Sequence, residues 1–296
     1  MRQKLKKIAE FVLYGVLWIF IFCMIVALKE PHGPLDYFDP EYANPYAGVT
    51  FPPPQNMTAA SFQAMPQCVR EGLNGSDAGT CLKDTAQWQK DMRKIYGYIS
   101  RADVAVGRIM RALRESGLDD NTVAMHISDN GSFVGAHGLV GKWMMYEESI
   151  RVPLIVRDPR VGPEGRRRRR KEMALNIDVA PTVLSMAGVD APAGMQGLDL
   201  RPFLKETGAA GREEWYYEHT FATAKERGER PIPASEGVRT RRWKYIRYTS
   251  EQPVLEQLFD LEADPHEEQD LAREPDQAAR LKEMRAKCDE YRTSLA

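Results

Sequence analysis

The sequence predicts an α/β domain followed by a small antiparallel β subdomain and a terminal helix. Apolar side chains recur at helical spacing over residues 89–116, and an apolar strand at residues 122–127 follows directly. A second short apolar strand covers residues 152–156. After about residue 205 short β segments alternate with turns, and residues 276–295 have the pattern of a polar helix.

The first helix and strand mark the place where a site is expected. Gly117 follows the helix as a natural C-cap, and the strand after it ends at residues 128–131, Ser-Asp-Asn-Gly. Ligands of α/β sheets collect beyond the carboxyl ends of strands, so this turn is a candidate site. The preceding residues 31–85 are rich in Pro, Tyr, Asn and Gly, and we expect a long irregular loop there.

Later elements follow from the same signals. Asp178 is placed to cap a helix over residues 179–187, because a carboxylate accepts hydrogen bonds from the free amides of a helix start. Short β segments are expected near residues 215–217, 238–248 and 257–261. The chain thus divides into a hydrophobic segment, a partial α/β domain and a carboxy-terminal subdomain, at residues 1–30, 31–205 and 206–296.

The charge balance argues against nucleic acid as a partner. Lys and Arg total 41 and Asp and Glu total 42, which gives a formal net charge of −1, whereas phosphate binding needs a basic surplus on one face. The single basic run, residues 166–171, is interpreted as an exposed loop. Attraction of an anionic substrate or of anionic lipid is the alternative role for it.

The four cysteines give no metal or redox motif, because no two of them form a C-x-x-C pair. Cys68 and Cys81 flank a short polar loop and are the candidate disulfide if the chain is exported. We expect Cys23, inside the apolar run, and Cys288, inside a charged helix, to be unpaired.

The amino-terminal segment has two interpretations. Basic residues come first, and residues 11–28 then carry no charge, a length that nearly spans a bilayer as a helix. No small-x-small cleavage site follows, so we expect an uncleaved membrane anchor with the globular part on the extracytoplasmic side. Alternatively, residues 23–28 form a buried parallel strand that ends at a functional loop, since periodicity does not separate the two.

Asp129 and Asn130 are the first candidate metal ligands. A carboxylate and an amide oxygen side by side are hard donors of the kind that Ca²⁺ or Mg²⁺ takes. An Asp-Asn-Gly turn is also common in proteins without any metal. The sequence that follows, residues 135–155, decides in favour of the site.

Residues 135–155, which contain Gly-Leu-Val-Gly-Lys and Tyr-Glu-Glu-Ser-Ile-Arg-Val-Pro, resemble the sulfatase family. Other segments resemble it in the same order: residues 104–109, 176–184 and 196–200, and then 238–245 with 258–265. The resemblance implies an alkaline-phosphatase-like sandwich, of which this chain carries a carboxy-terminal portion. It covers roughly residues 22–275 and implies hydrolysis of sulfate esters.

The resemblance also implies roles for five residues. Asp129 and Asn130 correspond to ligands of a divalent metal, usually calcium, and Lys142 to the lysine that contacts the sulfate ester. His32, in Pro-His-Gly-Pro, resembles a histidine that reaches the sulfate, and His137 is a weaker candidate for substrate binding. A metal and an ammonium would neutralise the tetrahedral anion, and His32 could protonate the leaving alcohol.

The nucleophile of the family is missing from this sequence. Sulfatases convert a cysteine or serine to formylglycine within Cys/Ser-x-Pro-x-Arg, and no cysteine or serine here precedes such a pattern. The paired aspartates that complete the family's metal site are also absent. We therefore expect weak calcium binding and no hydrolysis by this chain alone, as for a truncated or mis-joined gene product.

Two other functions remain open on the sequence. A membrane-anchored pseudoenzyme could bind sulfated glycans or a partner chain through Lys142 and His32 without turnover. A phosphoryl-transferring enzyme of the same superfold would be expected to carry a threonine or serine nucleophile and histidine-rich metal ligands, and Asp129-Asn130 with Lys142 argue against it. For the sulfatase interpretation the expected ligand is a sulfated small molecule or glycan.

Overall fold

The computed structural model describes residues 23–33, 45–76, 78–162, 167–205, 209–220 and 231–295. Within them the chain begins with four short helices and one long helix. These are α1 (Ala59–Ala64), α2 (Gln67–Glu71), α3 (Leu73–Ser76), α4 (Ala78–Lys83) and α5 (Thr85–Glu115).

The prediction of one long irregular loop over residues 31–85 is therefore wrong for its second half. Thr58 starts α1, because its side-chain oxygen accepts a hydrogen bond from the Ser61 amide at 3.0 Å. Met65 and Val69 then bury their side chains in the core. Helices of four to six residues complete too few turns to show a helical period in the sequence.

The long helix α5 starts four residues earlier than predicted, after Asp84, whose carboxylate accepts from the Gln87 amide at 2.8 Å. Gly117 follows the helix with a φ of +66°, as its C-cap position requires. The residues of α5 that are fully buried, from Trp88 to Tyr98, all lie in its first half. The second half of α5 contains no fully buried residue and lies at the surface of the fold.

The two predicted strands pair antiparallel as β1 (Ala124–Ile127) and β2 (Leu154–Arg157). The short helix α6 (Glu147–Ile150) precedes β2. The strands are only half-buried, whereas the sequence predicted buried ones, and the Ile155 side chain is 62% exposed.

Two more helices, α7 (Val179–Met186) and α8 (Arg201–Lys205), follow β2. Asp178 occupies the predicted N-cap position of α7, but its buried carboxylate makes no capping hydrogen bond to that helix. It accepts instead from the Leu175 and Leu198 amides, and it pairs with Arg212 at 2.5 Å. Asp178 thus ties three separate loop segments together.

The predicted carboxy-terminal sheet and terminal helix are confirmed. Four antiparallel strands lie in the order β3-β4-β5-β6, and a helix of 18 residues follows them. They are β3 (Glu214–His219), β4 (Ser235–Thr240), β5 (Trp243–Tyr248), β6 (Leu255–Asp260) and α9 (Ala278–Leu295).

This sheet is covered on both faces. Tyr245 and Leu258 belong to one buried cluster with Met284 of α9. Ile246 and Phe259, their neighbours along the strands, belong to a second cluster with residues of the α/β part. Successive side chains of a strand point to opposite faces, so the sheet separates the terminal helix from the α/β part.

The predicted anchor at residues 11–28 lies largely outside the described residues. Its described end, residues 23–29, is extended and exposed, with Ile25 at 90%, so the alternative interpretation as a buried strand is wrong. None of the helices in the described part of the chain combines the length and apolarity that crossing a membrane requires.

The expected disulfide is not formed, because Cys68 and Cys81 are both free thiols. Cys68 packs against the cluster of Met65 and Val69, and burial raises the pKa of its thiol to about 12. Cys81 belongs to a different cluster with Trp88. The predicted unpaired states of the other two cysteines are confirmed.

Candidate functional site

A cavity of about 2410 Å³ lies between the β1–β2 pair and the first two strands of the carboxy-terminal sheet. The turn after β1, residues 142–143, strand β2 and residues 167–177 line one part of it. Another part is lined by residues of β3 and β4 and by the residue that follows β4: Trp215, Tyr216, Tyr217, Arg239 and Arg241. The cavity lining contains ten lysine and arginine side chains and six carboxylates, so its net charge is positive.

Three of the five predicted site residues meet at this cavity. The Lys142 ammonium donates a hydrogen bond to Asn130 Oδ1 at 2.9 Å, and the Asn130 amide donates to Asp129 Oδ1 at 2.9 Å. Asn176 holds the turn by donating to the Asp129 carbonyl at 3.3 Å. The structure thus places the Lys142 ammonium and the Asp129 carboxylate at the end of β1, each hydrogen-bonded to Asn130.

The backbone around Lys142 is held from two sides. Asn74 of α3 donates to the Lys142 carbonyl at 2.6 Å and to the Val140 carbonyl at 2.7 Å. Tyr217 of β3 donates its hydroxyl to the Trp143 carbonyl at 2.6 Å, and burial raises the pKa of Tyr217 to about 12, so the hydroxyl stays protonated. Trp143 has a φ of +82°, which these contacts hold in place.

Sequence reasoning missed Asn74 and Tyr217. Asn74 belongs to an Asn-Gly-Ser triplet that matches a glycosylation sequon, and Asn56 belongs to another. Both side chains are 1% exposed, so in the folded chain neither asparagine can carry a sugar. An asparagine side chain offers two hydrogen-bond donors and an acceptor, so the residue type is compatible with holding a loop. Nothing in the sequence identified the partners of Asn74 or Asn56.

The two predicted histidines lie elsewhere, because neither is among the described residues that line the cavity. His32 is exposed, and its Nδ1 lies 2.9 Å from the carbonyl of the next residue. His137 is fully buried between the rings of Phe133 and Tyr146. Its Nε2 lies 3.6 Å from a carboxylate oxygen of Glu148.

A buried ionic cluster joins this region to the carboxy-terminal sheet. Lys244 of β5 is fully buried, and its ammonium lies 2.9 Å from Glu147 Oε1 and 2.7 Å from Glu267 Oε1. Burial disfavours the charge of Glu147, but Lys244 and Arg239 outweigh burial and lower its pKa to about 2. For Glu267 burial dominates and the pKa is raised, although Lys244 opposes that shift.

The described residues do not by themselves fit calcium. Calcium takes roughly six to eight oxygen ligands, and here the predicted donors are Asp129 and Asn130. Asn130 Oδ1 already accepts from the Lys142 ammonium. In the part of the chain that the structure describes, no group of three or more His, Cys, Asp or Glu side chains could hold a metal ion.

Comparison with solved structures defines the class of fold first. The chain superposes on the structure of the protein BT4656 in complex with its substrate D-glucosamine-2-N,6-O-disulfate with a TM-score of 0.70. The superposition covers 90% of this chain and 64% of that one at 24% identity, a level that speaks for the fold alone. The fold is that of the sulfatases and alkaline-phosphatase-like enzymes, as the sequence predicted.

The chain belongs to the sulfatase family. The family model "Sulfatase" matches residues 22–189, and the model "N-sulphoglucosamine sulphohydrolase, C-terminal" matches residues 135–294. The chain is 33% identical over 201 residues to an N-acetylglucosamine-6-O-sulfatase of Bacteroides thetaiotaomicron. The aligned region is 67% of this chain and 35% of that protein.

A second curated relative is the multifunctional alkaline phosphatase superfamily protein PehA of Trinickia caryophylli. It is 31% identical over 243 residues, which is 77% of this chain and 46% of PehA. The chain therefore spans between about a third and a half of the length of these two relatives.

Proposed function

We propose that this chain is the sulfate-recognising part of a sulfatase that acts on sulfate esters of sugars. The observation that carries the proposal is Lys142, held against Asn130 at 2.9 Å where β1 ends at a large, positively lined cavity. A fixed ammonium in a partly enclosed site stabilises a tetrahedral anion far better than a mobile surface lysine does.

The sugar sulfate as ligand is supported by two relatives. One relative carries the name N-acetylglucosamine-6-O-sulfatase, and the solved structure of BT4656 contains its substrate D-glucosamine-2-N,6-O-disulfate. Aromatic side chains of β3 and Trp143 also line the cavity, and aromatic rings offer apolar faces to sugar rings.

We propose further that the 296-residue chain by itself binds sulfate esters without hydrolysing them. The sequence has no Cys/Ser-x-Pro-x-Arg motif, and Asn130 Oδ1 is already engaged by Lys142. Without a nucleophile no covalent sulfate intermediate forms. The chain then acts as a binding protein, and hydrolysis requires a nucleophile that these residues do not include.

The test combines binding with turnover. Binding of N-acetylglucosamine 6-sulfate is measured by calorimetry, and hydrolysis of an aryl sulfate is measured with and without added calcium. We expect wild-type binding, no turnover, and an affinity about 10-fold or more lower in Lys142→Ala, since a hydrogen bond to a charged group is lost. Lys90→Ala, at an exposed site on α5 outside the cavity, is the matched control and should bind as the wild type does.

Either part of the proposal can fail separately. Equal affinity of Lys142→Ala and wild type would show that Lys142 does not contact the ester. Aryl sulfate turnover that disappears in Lys142→Ala would show that the chain contains a nucleophile, which refutes the binding-only role. Circular dichroism of both variants checks that each is folded.

We also propose that residues 1–30 anchor the chain in a membrane, with the rest on the extracytoplasmic side. The basic residues before the uncharged run at residues 11–28 support this orientation, whereas residues 23–29 are extended and exposed and so do not contribute to a spanning helix. The expressed full chain should sediment with membranes and resist extraction by carbonate, whereas release by carbonate would contradict the anchor.

A further inference from the structure

We propose that residues 167–171 form a second anion-binding wall, so that the cavity takes a polysulfated glycan rather than a single sulfated sugar. One sulfate would lie at Lys142 and further sulfates along the wall. This inference rests on the proposed function, because it assigns more of the ligand to the same cavity.

The charge of the wall is the first argument. Residues 167–171 read Arg-Arg-Arg-Arg-Lys, and all five line the same cavity as Asn130 and Lys142. Arg167, Arg168 and Arg169 are exposed. Several cations along one wall match a chain of sulfates, because the field of a charged cleft adds over its members.

The availability of these cations is the second argument. Elsewhere in the cavity Arg157 pairs with Asp119 at 3.3 Å and Arg239 with Glu147 at 2.8 Å, so those cations are already neutralised. No ion pair joins a side chain of the wall to a carboxylate of the residues that the structure describes.

The wall is also attached to the fold, which is the third argument. Arg170 is half-buried, and its guanidinium donates to the Leu204 carbonyl of α8 at 3.1 Å. Two residues beyond the wall, Met173 forms a β-bridge with Arg212. These contacts attach Arg170 and the chain just beyond the wall to the fold, so less conformational freedom of the backbone is lost when an anion binds.

The shape and size of the cavity favour a glycan over a lipid surface. A volume of about 2410 Å³ exceeds the roughly 300–1,000 Å³ of most small-molecule pockets and leaves room for several sugar rings. A membrane surface is flat and contacts protruding cations, whereas these cations line a concave site that also carries the aromatic rings of Trp143 and Trp215.

The experiment compares two ligands on the full chain. A heparin octasaccharide serves as the polysulfated probe and N-acetylglucosamine 6-sulfate as the monosulfated one, both measured by calorimetry at two salt concentrations. The wall variant and its control each remove three exposed cations, so the net charge is matched. The wall variant is Arg167→Ser/Arg168→Ser/Arg169→Ser, and the control is Arg111→Ser/Arg114→Ser/Lys282→Ser.

We expect the wall variant to bind the octasaccharide about 10-fold more weakly and the monosulfated sugar within about 2-fold of wild type. The control should change neither affinity. Unchanged octasaccharide binding in the wall variant overturns the proposal, as does an equal loss in the control or an equal loss for both ligands. Thermal unfolding of each variant shows whether a loss arises from misfolding.

Two further arms separate the neighbouring hypotheses. If Lys142→Ala leaves both affinities intact while the wall variant weakens the octasaccharide, the proposed role of Lys142 fails and the wall stands. Vesicles that contain phosphatidylserine test the lipid alternative. Loss of vesicle binding in the wall variant with full octasaccharide affinity would assign the basic segment to a membrane surface and refute the glycan site.

Discussion

Replacing Lys244 by methionine tests the buried ionic cluster. The Lys244 side chain is fully buried and contacts the carboxylates of Glu147 and Glu267 at 2.9 and 2.7 Å. Glu147 keeps Arg239 as a partner at 2.8 Å, so the loss falls on Glu267, which is also fully buried. Removing one partner of a buried pair costs about 3–5 kcal/mol, and we expect Lys244→Met to lower the free energy of unfolding by that amount at pH 8.

The pH dependence follows from the sign of the Glu267 shift. Burial raises the pKa of Glu267 even when Lys244 is present, and loss of the ammonium raises it further. A carboxyl group whose pKa is raised by folding destabilises the protein above its unfolded pKa, and protonation relieves the penalty as the pH falls. The difference between Lys244→Met and wild type should therefore shrink from pH 8 to pH 5.

Urea unfolding followed by circular dichroism at each pH measures these differences. The double variant Lys244→Met/Glu267→Gln should recover part of the stability, since it leaves no unpaired buried charge. Lys287→Met is the control, because Lys287 pairs with Glu214 at 2.6 Å near the surface, where such pairs contribute about 0–1 kcal/mol. A cost below about 1 kcal/mol at pH 8, or one that does not vary with pH, would refute the reasoning.

Three other substitutions probe the site and its support. Gly131→Ala should destabilise the fold by about 1–3 kcal/mol, because the added Cβ would lie 2.1 Å from the Glu148 carbonyl oxygen, and an unchanged Tm would contradict this. Gly107→Ala, with nothing within 4 Å in helix α5, should instead stabilise it by about 0.5–1 kcal/mol in the same melts. Tyr217→Phe should weaken binding of N-acetylglucosamine 6-sulfate severalfold by freeing the Trp143 carbonyl, and calorimetry that finds no loss would rule out this positioning role.

The sequence was informative wherever a local period or a dense motif existed. The long helix and the carboxy-terminal β segments lie within a few residues of their predicted places, and the single segment predicted at residues 238–248 forms two strands, β4 and β5. The motif around Lys142 placed Asp129, Asn130 and Lys142 in one site, because only 12 positions separate Asn130 from Lys142. Short-range order of this kind is encoded locally.

The remaining features depend on contacts between distant segments. Helices α1–α4 are too short to show a helical period. The buried side chains of this region, such as Val69, pack against residues far along the chain, such as Phe259. The bonds from Asn74 and Tyr217 to the Lys142 loop bridge 68 and 74 residues, and no local pattern encodes such partners. His137 was predicted to bind substrate from its residue type and motif, and the structure shows it at a core position with aromatic neighbours.

The two bonds that hold the backbone at residues 142–143 come from parts of the chain that precede and follow it. One comes from Asn74 in the helical region, and the other from Tyr217 in the carboxy-terminal sheet. Affinity for sulfate therefore depends on whether both the helical region and the carboxy-terminal sheet are packed against residues 142–143. A partly folded form that retains the sheet but has lost the helical region would still carry the charge of Lys142, yet it would bind sulfate no better than a loose surface lysine does.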